Sequence, residues 1–191
     1  PFLNAYPDLE IDGTGRLHVI YYNYAEGVGL QDVRYTNSPS GQVDFIPSEI
    51  TVIVTENAIP CDCYQPDLMV SLVGDVYIAY RNDISDIRDH YLAVKYNGDS
   101  EFSESIRISN HNDFNQHCPS SGPSVAMNDA KIAAGYFVTQ SQNAYVNISD
   151  IPNIAFSNET NVNLSDAQQN FPYIIMHDNF VHTAWLDYTS G

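Results

Sequence analysis

Apolar, β-branched and aromatic residues gather in four short runs that align with one another: LHVIY at 17–21, VYIAY at 76–80, IAAGY at 132–136 and VHTAW at 181–185. Each is bounded by turn-forming residues, which is how strands read. Ahead of each run stands an X-Pro-X-apolar start: Tyr6-Pro7-Asp8-Leu9, Gln65-Pro66-Asp67-Leu68, Gly122-Pro123-Ser124-Val125 and Phe171-Pro172-Tyr173-Ile174. The prolines are 59, 57 and 49 residues apart, and an aromatic closes each run 13 or 14 residues later, at Tyr21, Tyr80, Tyr136 and Trp185. A third mark repeats in three copies, where Ser38, Lys95 and Ser149 each precede a phenylalanine, Phe45, Phe102 and Phe156, by seven positions. Short alternating segments follow: ITVIVT at 50–55, SIRIS at 105–109 and NVNLS at 161–165. No stretch carries a helical period. The pattern predicts units of four strands, A to D.

Repeats of this length, each an antiparallel sheet of four strands, predict the blades of a β-propeller, all-β and radially arranged. The competing architecture is a β-sandwich. The blades fall near 1–57, 58–113 and 114–165, with only strands A and B of a fourth in 166–191. A propeller closes with roughly four to eight blades. About three and a half are present, so the remaining blades are expected from the rest of the protein or from another chain.

Composition then narrows the partners. Seven Lys and Arg against 24 Asp and Glu give a formal charge of −17. That field repels phosphate backbones and anionic lipid, so nucleic acid is an unsuitable partner. No apolar run reaches the roughly 20 residues of a bilayer span, so no membrane insertion is expected. Charged residues make up only 16% of the chain. A surface rich in Asn, Ser and Tyr suits secretion, an extracellular or cell-surface setting. Three Asn-X-Ser/Thr triplets, at Asn147, Asn158 and Asn163, are candidate glycosylation sites, at about the number that composition alone yields.

Propeller topology places the D–A and B–C loops on one face and the A–B and C–D turns on the other. The D–A loops carry all three cysteines. Cys61 and Cys118 each lie five residues before a strand A proline, which predicts a cross-blade disulfide from Cys118 to Cys61 or Cys63. The sharper alternative is a metal site of Cys61, Cys63, His117 and Cys118. In the second blade the B–C loop groups Arg81, Asp83, Asp86, Arg88 and Asp89. Arginine forks and carboxylates there are candidates for binding glycan hydroxyls or a protein partner. They are equally suited to locking blades together. Asp83, Asp86 and Asp89 are also candidate Ca²⁺ ligands; no other cofactor is expected. Asp8 and Asp67 follow the strand A prolines, so they fall nearest the central axis and could form an acid/base pair or cap a turn in each blade. Asp67, Arg81 and Arg88 are the candidate catalytic residues. Tyr21, Tyr80, Tyr136 and Trp185 read as packing between blades, and His18 occupies a position filled by Tyr77 and Ala133 in other copies.

The Ser-to-Phe stretches resemble worn copies of the Asp box, Ser-X-Asp-X-Gly-X-Thr-Trp/Phe, of sialidase-like propellers. Ser40, Asn97 and Ile151 stand at the box Asp position and Gln42, Asp99 and Asn153 at the Gly position. CDCYQPDL at 61–68, VYIAYRN at 76–82, IRDHYLAV at 87–94 and HCPSSGPSVA at 117–126 are similar to segments of secreted bacterial proteins labelled BNR-repeat or sialidase-like. The resemblance covers about residues 58–150 and implies a secreted propeller. Sialidase chemistry in that family uses an arginine triad, a Tyr/Glu pair and an acid Asp. The five arginines, Arg16, Arg34, Arg81, Arg88 and Arg107, scatter over different strands and turns. The expectation is therefore a recognition or structural module without catalysis of its own. Its alternative is a sialidase-like glycoside hydrolase whose further catalytic residues lie outside this chain.

Overall fold

The computed structural model describes residues 2–27, 29–45, 50–51, 60–61, 64–119, 121–162 and 167–188. Strands β1 (Phe2–Ile11), β2 (Leu17–Ala25), β3 (Gly29–Asn37) and β4 (Ile50–Thr51) form one sheet in chain order. A second holds β5 (Asp67–Val70), β6 (Val76–Arg81), β7 (His90–Lys95) and β8 (Ile106–Arg107). A third holds β9 (Ser124–Met127), β10 (Lys131–Val138), β11 (Asn143–Asp150) and β12 (Asn158–Asn161). β13 (Gln169–His177) and β14 (Phe180–Asp187) pair by themselves. Every pairing is antiparallel. The fold is a partial β-propeller, three blades and the inner half of a fourth.

Alternation along the second strand of each blade supplies two lateral faces, and both are apolar. In β6, Ile78 and Tyr80 turn toward the first blade and join Ile20, Tyr22, Val33 and Tyr35. Tyr77 and Ala79, one residue out of phase, turn toward the third and meet Ile132, Ala134 and Tyr136. All six residues of β6 are therefore buried. Full burial of a large apolar side chain stabilises by about 1.5–3 kcal/mol, so these two seams are the hydrophobic core. Three glycines let the blades close, among them Gly13, where a Cβ would stand 2.5 Å from the Leu72 carbonyl oxygen. A Cβ on Gly122 would stand 2.5 Å from the Gln65 carbonyl oxygen of the second blade, and one on Gly135 2.8 Å from Ile174 Cγ2 of the fourth.

The same logic explains two aromatics that lie off the seams. Tyr80 and Tyr136 each face the preceding blade and are fully buried, whereas Tyr21, their counterpart in the first blade, is only half-buried. Trp185 is likewise half-buried. Phe102 packs edge-on against Tyr35 across a seam, with ring centroids 5.6 Å apart, and Phe156 packs against the next seam. Phe45 is exposed. Among the described residues no blade precedes the first, so Tyr21 and Phe45, aimed that way, are not covered by a neighbouring sheet. His18 is a packing residue, as its slot implies: its ring is buried and bonds the Tyr35 hydroxyl at 2.7 Å and Asp12 at 3.2 Å.

One strand starts earlier than the pattern predicts. β12 begins at Asn158 rather than 161, because the Asn158 N–H bonds Asn147 Oδ1 at 3.1 Å and lays the chain on β11 immediately after the Phe156 turn. Residues 52–55 and 163–165 of the expected outer strands lie outside the described residues. Among the described residues no helix is long and apolar enough to cross a membrane.

Candidate functional site

The four X-Pro-X starts meet at the axis. They line a cavity of about 720 Å³ whose polar wall is Asp8, Glu10, Asp67 and Ser124. Its aromatic wall is Tyr6, Tyr64, Phe171 and Tyr173. Among the described residues no Arg or Lys lines it. A second cavity of about 240 Å³, sharing Glu10, Asp67 and Tyr173, continues among Met69, Met127 and Met176.

One bond repeats from blade to blade around this cavity. The Asp8 carboxylate accepts from the Leu68 backbone N–H at 2.8 Å, Asp67 from the Val125 N–H at 2.5 Å, and the Ser124 hydroxyl from the Ile174 N–H at 3.2 Å. In each case the residue after one proline receives the N–H two residues after the next. Inner strands of adjacent blades share no sheet ladder, so these N–H groups need side-chain acceptors. A hydrogen bond to a charged acceptor contributes about 1.5–3 kcal/mol, and losing it strands a donor at the same position. Asp8 and Asp67 thus do reach the axis, and each is engaged in joining blades. Burial raises the Asp67 carboxyl to about 7, the Asp8 charge adds to the rise, and the Val125 N–H opposes it. Burial, with Asp8 beside it, also raises Glu10.

Among the described residues, the outer two blades carry a feature not found in the inner two. Strands β1 and β13 continue upstream of their prolines through a bulge, with Tyr6 and Pro7 set against Tyr21, and Phe171 and Pro172 against Trp185. Tyr6 and Phe171 both have φ of 53°. Glycine is the residue that normally takes the left-handed position of a bulge, and a residue before proline is pushed toward extended backbone. Each aromatic therefore carries strain of about 1–3 kcal/mol. The Phe171 N–H is held by Asn170 Oδ1 at 2.8 Å, and the Tyr6 ring meets Tyr22 edge-on at 6.1 Å.

The charged B–C loop of the second blade does not open onto this cavity. Arg81 is fully buried and donates to the Arg88 carbonyl at 2.8 Å, to Asp113 at 2.5 Å and to the Ser121 carbonyl and Thr139 hydroxyl at 3.3 Å. Asp113 in turn accepts the N–H groups of Thr139 and Gln140. Arg88 is paired with Asp83 at 2.9 Å and donates to the Asn115 carbonyl at 2.7 Å. Asp89, nearly inaccessible, is paired with Arg107 and accepts from the Ser109 hydroxyl. Asp86 accepts from Gln116 at 3.4 Å. Of the two readings open for these residues, ligand binding or locking of blades, their contacts fit the second: they brace the loop and fasten the second blade to the third. Asp83, Asp86 and Asp89 do not converge, so the Ca²⁺ expectation is corrected too. Among the described residues no group of three or more His, Cys, Asp and Glu is placed to hold a metal.

Cys61 is a buried free thiol with its sulfur 2.9 Å from Arg88 Nη1, which removes it from the disulfide and from the metal set. Cys118 is exposed and disulfide-bonded, and His117 is exposed with its N–H bonded to Asn115. Cys63 lies outside the described residues. Asn147 is buried and donates to the Ile108 carbonyl at 3.0 Å, so it offers no amide for glycosylation. Asn158 is exposed, and Asn163 lies outside the described residues. Pattern reading missed Glu10, Tyr6 and Phe171. The only signal for the two aromatics was the X of X-Pro, aromatic in the outer copies and Gln65 or Gly122 between them.

No protein-family model and no curated protein matches the chain. Among solved structures it is similar to the GH43_1 enzyme from Xanthomonas citri complexed with xylose, with a TM-score of 0.54 at 12% identity. The match covers 95% of this chain and 63% of that one, so the chain spans less than two thirds of the enzyme it resembles. A second structure of the GH43_1 enzyme from the same organism gives a TM-score of 0.40 at 10% identity. The likeness is one of fold alone, a β-propeller, and is not specific to sialidases.

Two measurements follow from this geometry. Folding raises the Asp67 carboxyl from its ordinary 3.8 to about 7, so the folded state binds the extra proton between those values. Its contribution is then fully present below about pH 4 and is lost as pH rises through about 7. Urea midpoints are expected to fall over that window more steeply for the wild type than for Asp67→Asn; parallel curves contradict the assignment. A thiol titration of the denatured, unreduced protein is expected to find one reactive thiol, Cys61, and three would exclude the bridge.

Proposed function

We propose that this chain is a glycan-recognition module of a secreted propeller protein, binding uncharged sugar at the axial cavity without catalysis of its own. The observation that carries it is the composition of that cavity. Carboxylates accept from sugar hydroxyls, and aromatic rings take the C–H faces of pyranoses. With three carboxylates and no basic side chain in the lining, an anionic sugar would be repelled. This argues against a sialoside ligand. The arginines that an anionic sugar requires are elsewhere, with Arg81 buried and Arg107 paired to Asp89. Asp8 and Asp67 each hold a neighbouring blade, which supports binding over turnover. A disulfide at Cys118 fits an oxidising compartment. The xylose bound by the structurally similar enzyme makes a xylo-oligosaccharide the natural first probe.

A second reading has its own support. A carboxyl raised to about 7 keeps much of its proton at neutral pH, as the general acid of a glycoside hydrolase must, and Asp8 is a carboxylate on the adjacent inner strand. Isothermal titration with xylohexaose and with a sialylated lactose separates the possibilities. Module binding predicts heat with xylohexaose, none with the sialylated sugar, and about tenfold weaker binding in Glu10→Ala. Release of new reducing ends from xylohexaose, abolished by Asp67→Asn, would replace the module reading with the hydrolase. Binding of the sialylated sugar in preference would overturn both.

A further inference from the structure

The axial cavity is bordered at the two ends of its arc by strained aromatics, and this strain is not required by the propeller. The four inner strands stand in the order β1, β5, β9, β13, each joined to the next by the side-chain bond described above. In the two middle blades the residues ahead of the proline, Gln65 and Gly122, are not in left-handed backbone, and these blades still make the same bond. Closing a blade therefore does not need a left-handed residue ahead of the proline. Yet both end blades place one there, and both fill it with an aromatic, where glycine would sit without strain. A bulge bends its strand and re-aims the side chain it carries. Tyr6 and Phe171 both line the cavity, 45% and 44% exposed, large rings left partly bare beside Asp8, Asp67 and Ser124.

We infer that Tyr6 and Phe171 are a pair of sugar-stacking platforms that set the length of glycan the cavity takes, one ring of the glycan on each, with the carboxylates between them reading hydroxyls. This rests on the glycan-binding reading above and deepens it. Two blades separate the platforms, and the proposal places a different ring of the ligand on each. The ligand class is then an uncharged oligosaccharide of at least two linked rings with flat C–H faces, as in a β-linked chain of equatorial sugars. Local strain held at two equivalent positions, and not needed for the bond between blades that Gln65 and Gly122 also accompany, is the kind that fixes a binding geometry in advance.

Affinities of the full chain for xylose and xylohexaose, measured by titration well below every variant's Tm, test it. The wild type is expected to bind xylohexaose at least tenfold more tightly than xylose. Tyr6→Gly and Phe171→Gly are each expected to lose most of that gain, with Tm unchanged or raised because glycine relieves the backbone. The ring-preserving Tyr6→Phe and Phe171→Tyr keep the gain. If the glycine variants retain the gain, or lose it only together with Tm, the inference falls while the glycan-binding reading stands. If the wild type binds neither sugar, that reading fails first.

Discussion

Blades of a propeller are separate sheets, and no ladder of backbone bonds crosses from one to the next. At the axis the join is made by one side-chain acceptor per seam: Asp8 to the Leu68 N–H, Asp67 to the Val125 N–H, Ser124 to the Ile174 N–H. Hydrophobic burial between lateral faces is larger in sum but non-directional, and it tolerates sliding. The hydrogen bonds fix how far one inner strand lies along the next. Everything at the axis follows from that register. It brings the prolines level, sets Glu10 and Asp67 beside one cavity, and leaves the outer aromatics facing into it.

The same constraint limits the chemistry. A carboxylate that holds a backbone N–H of the next blade cannot be rearranged without loosening the seam, so the axis is stiff and its acids are partly committed. It also concentrates negative charge where the lining offers no base in compensation. The raised Asp67 is the result, a group whose charged form is penalised by burial and by Asp8 together. An uncharged ligand that donates hydroxyl protons to these oxygens meets the site on its own terms.

Most of the architecture was legible because the repeat is written in residues with backbone consequences. Proline starts an inner strand, and alternating apolar residues make both faces of β6 a seam. Tyr21 was readable as a packing residue, but its exposure depended on which blade has a neighbour, a fact of order around the ring. The charged loop at 81–89 read equally as a binding face or as a lock between blades, because its partners are distant in sequence. Asp113, Arg107 and Thr139 lie 18 to 58 residues from the groups they hold, and local pattern carries no trace of such pairs. Ser124 stands where the first two copies have Asp, and the property the three share is hydrogen-bond acceptance. Tyr6 and Phe171 were hidden for the opposite reason, since an aromatic before proline is among the last residues expected in left-handed backbone.

Amide hydrogen exchange at the three receiving strands tests the central join most directly. In the wild type the Leu68, Val125 and Ile174 amides are predicted to exchange slowly, and Asp8→Ala to speed Leu68 at least tenfold more than the other two. Uniformly fast exchange at all three, or a response to Asp8→Ala that does not single out Leu68, would contradict the account.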